Sequence, residues 1–154
     1  MYLSRVVLVV TGVVFAGYGI MCLLLPSTIA EYTGIALPGV SATVEVVAMY
    51  GGLQTGFGLL CLYCALRSEF ATPGLIAVLV FVGSLALGRS FGLLVHGSSS
   101  YNLGVLAYEA TTSVLAALAF ARTRRNLAAS CAPAVLGLPS AGPARPVRPA
   151  GVTR

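Results

Sequence analysis

The sequence predicts an all-α integral membrane protein, an antiparallel four-helix bundle followed by a disordered C-terminal tail. Three observations carry this. Hydrophobic residues make up 58% of the 154-residue chain and charged residues only 8%, with a mean hydropathy of +0.96, whereas soluble globular domains are about 45–50% apolar and about 25% charged. Four apolar segments each come close to the roughly 20 residues that a helix needs to cross about 30 Å of hydrocarbon. The arginines flank these segments unevenly, as they do in multi-pass proteins.

The expected transmembrane domain is 1–125, with helices at about 6–25, 43–66, 73–95 and 101–121. The first segment follows Arg5 and stops at Pro26. It is longer than the 7–15 apolar residues of a signal-peptide core, so it reads as a retained span. A lipoprotein cleavage at Cys22 is excluded by the bulk of Met21 beside it. Pro73 opens the third segment, at a position where its missing N–H costs nothing. Gly97 and the serines after it separate the third segment from the fourth by a tight turn, which makes those two helices antiparallel neighbours. From 126 to 154 the chain is rich in Pro, Ala and Arg. Five prolines there leave no helical or strand period, so a disordered cytoplasmic tail is expected.

The chain has no Lys and no Asp, and its net charge of +5 comes from arginine. Arg5, Arg67, Arg122, Arg124 and Arg125 mark one side, while the loops at 26–42 and 96–100 carry neither Lys nor Arg. By the positive-inside rule both termini and the loop at 67–72 are cytoplasmic. Abundant Ala, Gly, Val and Arg without Lys suits a GC-rich bacterial genome, so the expected location is the bacterial cytoplasmic membrane. The lipid bilayer is the expected partner, with a membrane protein or a second copy of the chain as further candidates. A nucleic-acid surface is not expected, because the basic residues form no folded face with readout residues among them.

Arg89 breaks an otherwise apolar run. It lies roughly 9 Å below the outer end of the third helix, and Glu109 lies roughly 12 Å into the fourth, at 1.5 Å per residue. An isolated charge at mid-helix costs about 2.5–3.5 kcal/mol on insertion scales, so such residues pair, turn inward or line water. Arg89 and Glu109 are therefore the expected ion pair. Glu45 enters at a shallower level, either as a second acceptor for the same guanidinium or as a first-turn acid favoured by the helix dipole. Tyr50 and Gln54 are four apart on one helix face, and Thr112 and Ser113 accompany Glu109. Glu45, Tyr50, Gln54, Arg89 and Glu109 are the candidate ligand-binding residues, around a polar cavity opening to the outer leaflet. Small residues close the expected bundle: Ser84, Gly88 and Gly92 on the third helix, Gly52 and Gly56 on the second, and a weaker Gly12 and Ala16 on the first.

No catalytic residue, metal or cofactor is expected. There is no nucleophile with a base beside it. Cys61 and Cys64 form a CxxC, but with His96 alone as a histidine and no second CxxC the pair falls short of four zinc ligands. Such cysteines read as small hydrophobes. Gly51 to Gly58, GGLQTGFG, is no dinucleotide loop, because it lies inside an apolar helix and not after a strand.

The ordered set Glu45, Tyr50-Gly51-Gly52, Gln54, Gly56, Gly88-Arg89, Gly97 and Glu109 resembles an uncharacterised bacterial family of small four-helix membrane proteins, a domain of unknown function, broadly DoxX-like in size and layout. The similarity covers most of residues 5 to 121 and excludes the tail. It implies a four-helix bundle and no reaction. Three functions compete on these residues: an outward-facing Glu/Arg/Glu pocket that binds or transports a small polar ligand or lipid headgroup; a structural or accessory subunit in which the charges fix packing; and, last, a membrane enzyme.

Overall fold

The computed structural model of the chain describes residues 2–135, and describes side chains for residues 2–125. Regular structure among these residues is helical throughout. The helices are α1 (Tyr2–Leu24), α2 (Ser27–Thr33), α3 (Val40–Leu66), α4 (Ala71–His96, entered through a 3₁₀ turn at Ser68–Phe70) and α5 (Ser100–Val135). Four of them, α1, α3, α4 and α5, are long and apolar enough to cross a membrane.

The chain divides into two compact units, Met1–Thr123 and Arg124–Arg154. Helix α5 outlasts its expected end, running through Val135 where the sequence predicts disorder from residue 126. Leu127, Ala128 and Ala129 are strong helix formers, and they extend a helix that is already nucleated, where each added residue gains a hydrogen bond without repeating the initiation cost. Residues 136–154, the rest of the expected tail, lie outside the described residues.

The buried positions of each helix follow a spacing of three and four. On α1 they include Ser4, Leu8, Thr11, Phe15, Gly19 and Cys22. On α4 Ala71, Leu75, Val78 and Val82 are buried, and the same series continues to Leu85 and Arg89. On α5 it is Glu109, Thr112, Ala116 and Ala119. Such a stripe faces the protein interior. The remaining faces carry exposed apolar side chains, among them Val13, Val80, Leu87 and Val114, which is the surface that acyl chains require. Where α1, α3 and α4 converge, Phe57 stacks on Phe81 with centroids 4.1 Å apart, and Phe15 meets Phe57 edge-on at 5.1 Å. Ser4 Oγ and Thr123 Oγ1, 3.2 Å apart, join α1 to α5 through a hydrogen bond.

Close helix approach is concentrated between α1 and α3. A Cβ on Gly12 would lie 2.9 Å from the Gly58 carbonyl oxygen, and one on Gly19 would lie 2.5 Å from the Thr55 backbone nitrogen. One on Gly51 would lie 2.7 Å from Leu23 Cδ2. This corrects the packing positions expected from sequence. A Cβ on Gly56, Gly88 or Gly92 would meet nothing within 4 Å, and one on Gly52 would meet only Val47 O of its own helix, at 3.9 Å. Ser84 is exposed and donates to Phe81 O at 2.9 Å within α4. The reason is rotational: Ser84 and Gly88 each precede the core-facing Leu85 and Arg89 by one residue, about 100° around the helix. Periodicity finds a stripe but does not say which stripe meets a neighbour.

Candidate functional site

Three local features position the site. The first is in α3, whose turn at Val47–Gly52 widens to π-helical geometry. Such turns occur mostly as single insertions in α-helices and re-aim the side chains around them. Tyr50 lies within the wide turn and Gln54 just beyond it, and both line the same cavity.

The second is the start of α5. Ser99 is its N-cap: Ser99 Oγ accepts from the Asn102 backbone N–H at 3.2 Å and from Asn102 Nδ2 at 3.0 Å. Capping by serine satisfies an orphan donor of the first turn. Here it also fixes the Asn102 side chain, so that Oδ1 is turned to accept from Arg89 Nη1 at 2.8 Å.

The third is the segment between α1 and α3. Helix α2 ends at Gly34, whose φ of 74° is a left-handed C-cap and whose N–H donates to Ala30 O at 2.9 Å. Glycine takes that conformation without steric cost. Ile29 is buried under this segment against Cys22 and Val46, which holds Thr33 and Ile35 over the cavity.

At the centre Arg89 and Glu109 form a two-pronged pair. Arg89 Nε donates to Glu109 Oε2 and Nη2 donates to Oε1, both at 2.9 Å. The Glu109 side chain is 4% exposed and that of Arg89 26%. Fork-to-fork pairing of this kind is directional and strong. A guanidinium has five N–H groups; three are used here, two by Glu109 and one by Asn102. Two N–H groups thus remain without a protein acceptor among the described residues. Arg89 and Glu109 line a cavity of about 570 Å³, together with the polar side chains of Tyr18, Tyr50, Gln54, Tyr101, Asn102 and Tyr108 and the apolar ones of Phe15, Ile35, Leu85 and Val105. The Tyr108 hydroxyl is buried with no partner in hydrogen-bond geometry, though the Thr112 side chain lies beside it.

Of the residues singled out from sequence, Tyr50, Gln54, Arg89 and Glu109 therefore share one cavity. Glu45 does not: it is exposed and outside the lining. It sits on the turn of α3 before the π-helical segment, one residue from the buried Val46, so its side chain leaves the core-facing stripe. His96 is exposed at the end of α4. Ser113 donates to Glu109 O at 2.9 Å, a bond within its own helix. Asn102 and the tyrosines at 18, 101 and 108 were missed from sequence. A signal for some of them existed: Asn102 and Glu109 are seven apart, as are Tyr101 and Tyr108, so each pair shares a helix face.

No match is found for this chain among curated proteins or among solved structures. A family model described as "Domain of unknown function (DUF4345)" matches residues 3–120, and the chain belongs to that family.

Proposed function

We propose that the protein binds, and in doing so holds or passes on, a small polar-headed ligand or lipid headgroup in the cavity at Arg89. The observation that carries this reading is the incomplete pairing of the guanidinium. A charge pair serving only to join helices would satisfy its hydrogen bonds internally and exclude water; Arg89 instead leaves two N–H groups beside about 570 Å³ of space. Ligand sites have volumes of about 300–1,000 Å³ and apolar walls with a few convergent polar groups. Gly104 supplies the test. It lines the cavity, and a Cβ added there meets nothing within 4 Å, so Gly104→Leu fills space without a backbone clash. The protein purified in mild detergent should lose its co-purifying small molecules on this substitution, read by mass spectrometry of organic extracts, with helix content unchanged. An identical set of molecules from both proteins would refute the reading.

In this proposal the four long helices form an antiparallel bundle in a bacterial cytoplasmic membrane, both termini are cytoplasmic, and the cavity opens outward. Two pairs of neighbours support the antiparallel sense: Gly12 with Leu62, and Leu23 with Gly51. The absence of Lys and Arg from 26–42 and 96–100 supports the orientation. With the native cysteines replaced, an impermeant thiol reagent should label Ser99→Cys on intact cells and leave Ser140→Cys unlabelled. The reverse pattern would invert the topology.

A second reading, an accessory subunit of a membrane complex, is favoured by the open space at Gly56, Gly88 and Gly92. Small residues on a lipid-facing surface are what a partner helix packs against.

A further inference from the structure

We infer that the ligand of the Arg89 cavity is an uncharged amphiphile with an oxygen-bearing head, of the acylglycerol type, and not a phosphate or carboxylate. This inference rests on the binding reading above and narrows it. Arg89 and Glu109 are the charged residues of the lining, one of each sign, and they are already paired through two bonds of 2.9 Å. The site is therefore neutral before anything enters. An anion on the two remaining guanidinium N–H groups would be drawn to Arg89 but opposed by the Glu109 carboxylate already bound to it, so little net attraction remains to offset the cost of taking the anion out of water. Among the described residues no second cation lines the cavity to offset that cost.

A neutral acceptor meets no such penalty. An ester carbonyl or hydroxyl can accept from the free guanidinium edge and still find the Gln54 amide and the tyrosine hydroxyls, which both donate and accept. Phe15, Leu85 and Val105 add the apolar lining that the first carbons of an acyl chain need. The volume of about 570 Å³ is large enough for a glycerol ester head and part of one chain.

Mono-oleoylglycerol and the lysophosphatidate with the same chain differ only in the phosphate. Each is added to the full-length protein in a mild nonionic detergent, and retention is read by native mass spectrometry and by thermal unfolding followed by circular dichroism. We expect mono-oleoylglycerol to be retained and to raise Tm, lysophosphatidate to bind at least about tenfold more weakly because its buried charge is uncompensated, and Gly104→Leu to abolish the response. Lysophosphatidate bound as tightly or more tightly, and lost in Gly104→Leu, would overturn the neutral class and leave the cavity as a binding site. Response to neither compound would overturn both. A mono-oleoylglycerol response undiminished in Gly104→Leu would place binding elsewhere and overturn the inference.

Discussion

Where α1 crosses α3, glycine backbones lie too close for a methyl group: a Cβ on Gly58 would sit 2.7 Å from Gly12 O and against the Ala16 backbone. On another face of the same stretch of α1, Phe15 and Tyr18 border about 570 Å³ of space. One helix thus has a closed face and an open one. Within lipid no hydrophobic force gathers helices, so cohesion comes from close packing and polar contacts. The closed face supplies that cohesion by backbone approach. The open face gives up packing and borders Arg89, Glu109 and Asn102 instead, which makes it the region where the fold depends on hydrogen bonds and where a ligand finds room.

Breaking the closed side should have the largest effect. In Gly58→Val the added carbons meet backbone atoms of Gly12 and Ala16, which cannot rotate away as a side chain would. Overpacking ordinarily costs about 1–3 kcal/mol, and a clash with backbone belongs beyond the upper end of that range. The expected outcome is loss of monodisperse protein on size-exclusion chromatography in detergent. Wild-type recovery would mean that α1 and α3 separate without consequence, and the contrast between the two faces would fail.

On the open side, Arg89→Leu and Glu109→Leu should each destabilise by about 3–5 kcal/mol, since each strands its partner's charge away from water. The double substitution should cost less than the two singles summed, because it strands nothing. Denaturation by added sodium dodecyl sulfate, with the fraction folded read by circular dichroism, measures the coupling. Additive losses would show that the two side chains are not energetically coupled, despite their two bonds of 2.9 Å.

These two regions were unequally legible in the sequence. The four spans were visible because their apolar length is an imposed physical requirement. The Arg89–Glu109 pair was visible because an unpaired charge in hydrocarbon is costly and a tight turn fixed which helices adjoin. The position of Arg89 in the series Ala71, Leu75, Val78, Val82 and Leu85 marked it as core-facing as well. The closed crossing was mostly hidden, since Gly12 and Ala16 were seen only as a weak stripe and Gly19, Gly51 and Gly58 not at all. Glycines occur on many faces, and only the rotation of each helix, set by all its neighbours together, selects the one that meets a partner. The π-helical turn at Val47–Gly52 was hidden because it is an insertion in an otherwise regular period. Asn102 was hidden because its role depends on Ser99, a cap recognised only once the helix start is known. Glu45 misled for a related reason: depth alone brought it near the pocket, and its rotation took it out.

The smallest effect, and the one that discriminates most finely, concerns the glycines that touch nothing. Gly88 and Gly92 lie in the interior of α4 with open space beside them. Alanine is favoured over glycine in a helix by about 0.5–1 kcal/mol, because it has less conformational freedom to lose. Gly88→Ala/Gly92→Ala should therefore raise the stability of the isolated chain slightly, opposite in sign to Gly58→Val although both add carbon to a glycine. A methyl group on that surface would, however, hold off any helix packed against it. If the substituted protein is stabilised in detergent and still recovers the same co-purifying proteins from the membrane, the face belongs to lipid and the cavity remains the functional centre. If it is stabilised alone but loses a specific protein partner, the face is an interface, and the accessory-subunit reading gains the support that the Arg89 cavity does not give it.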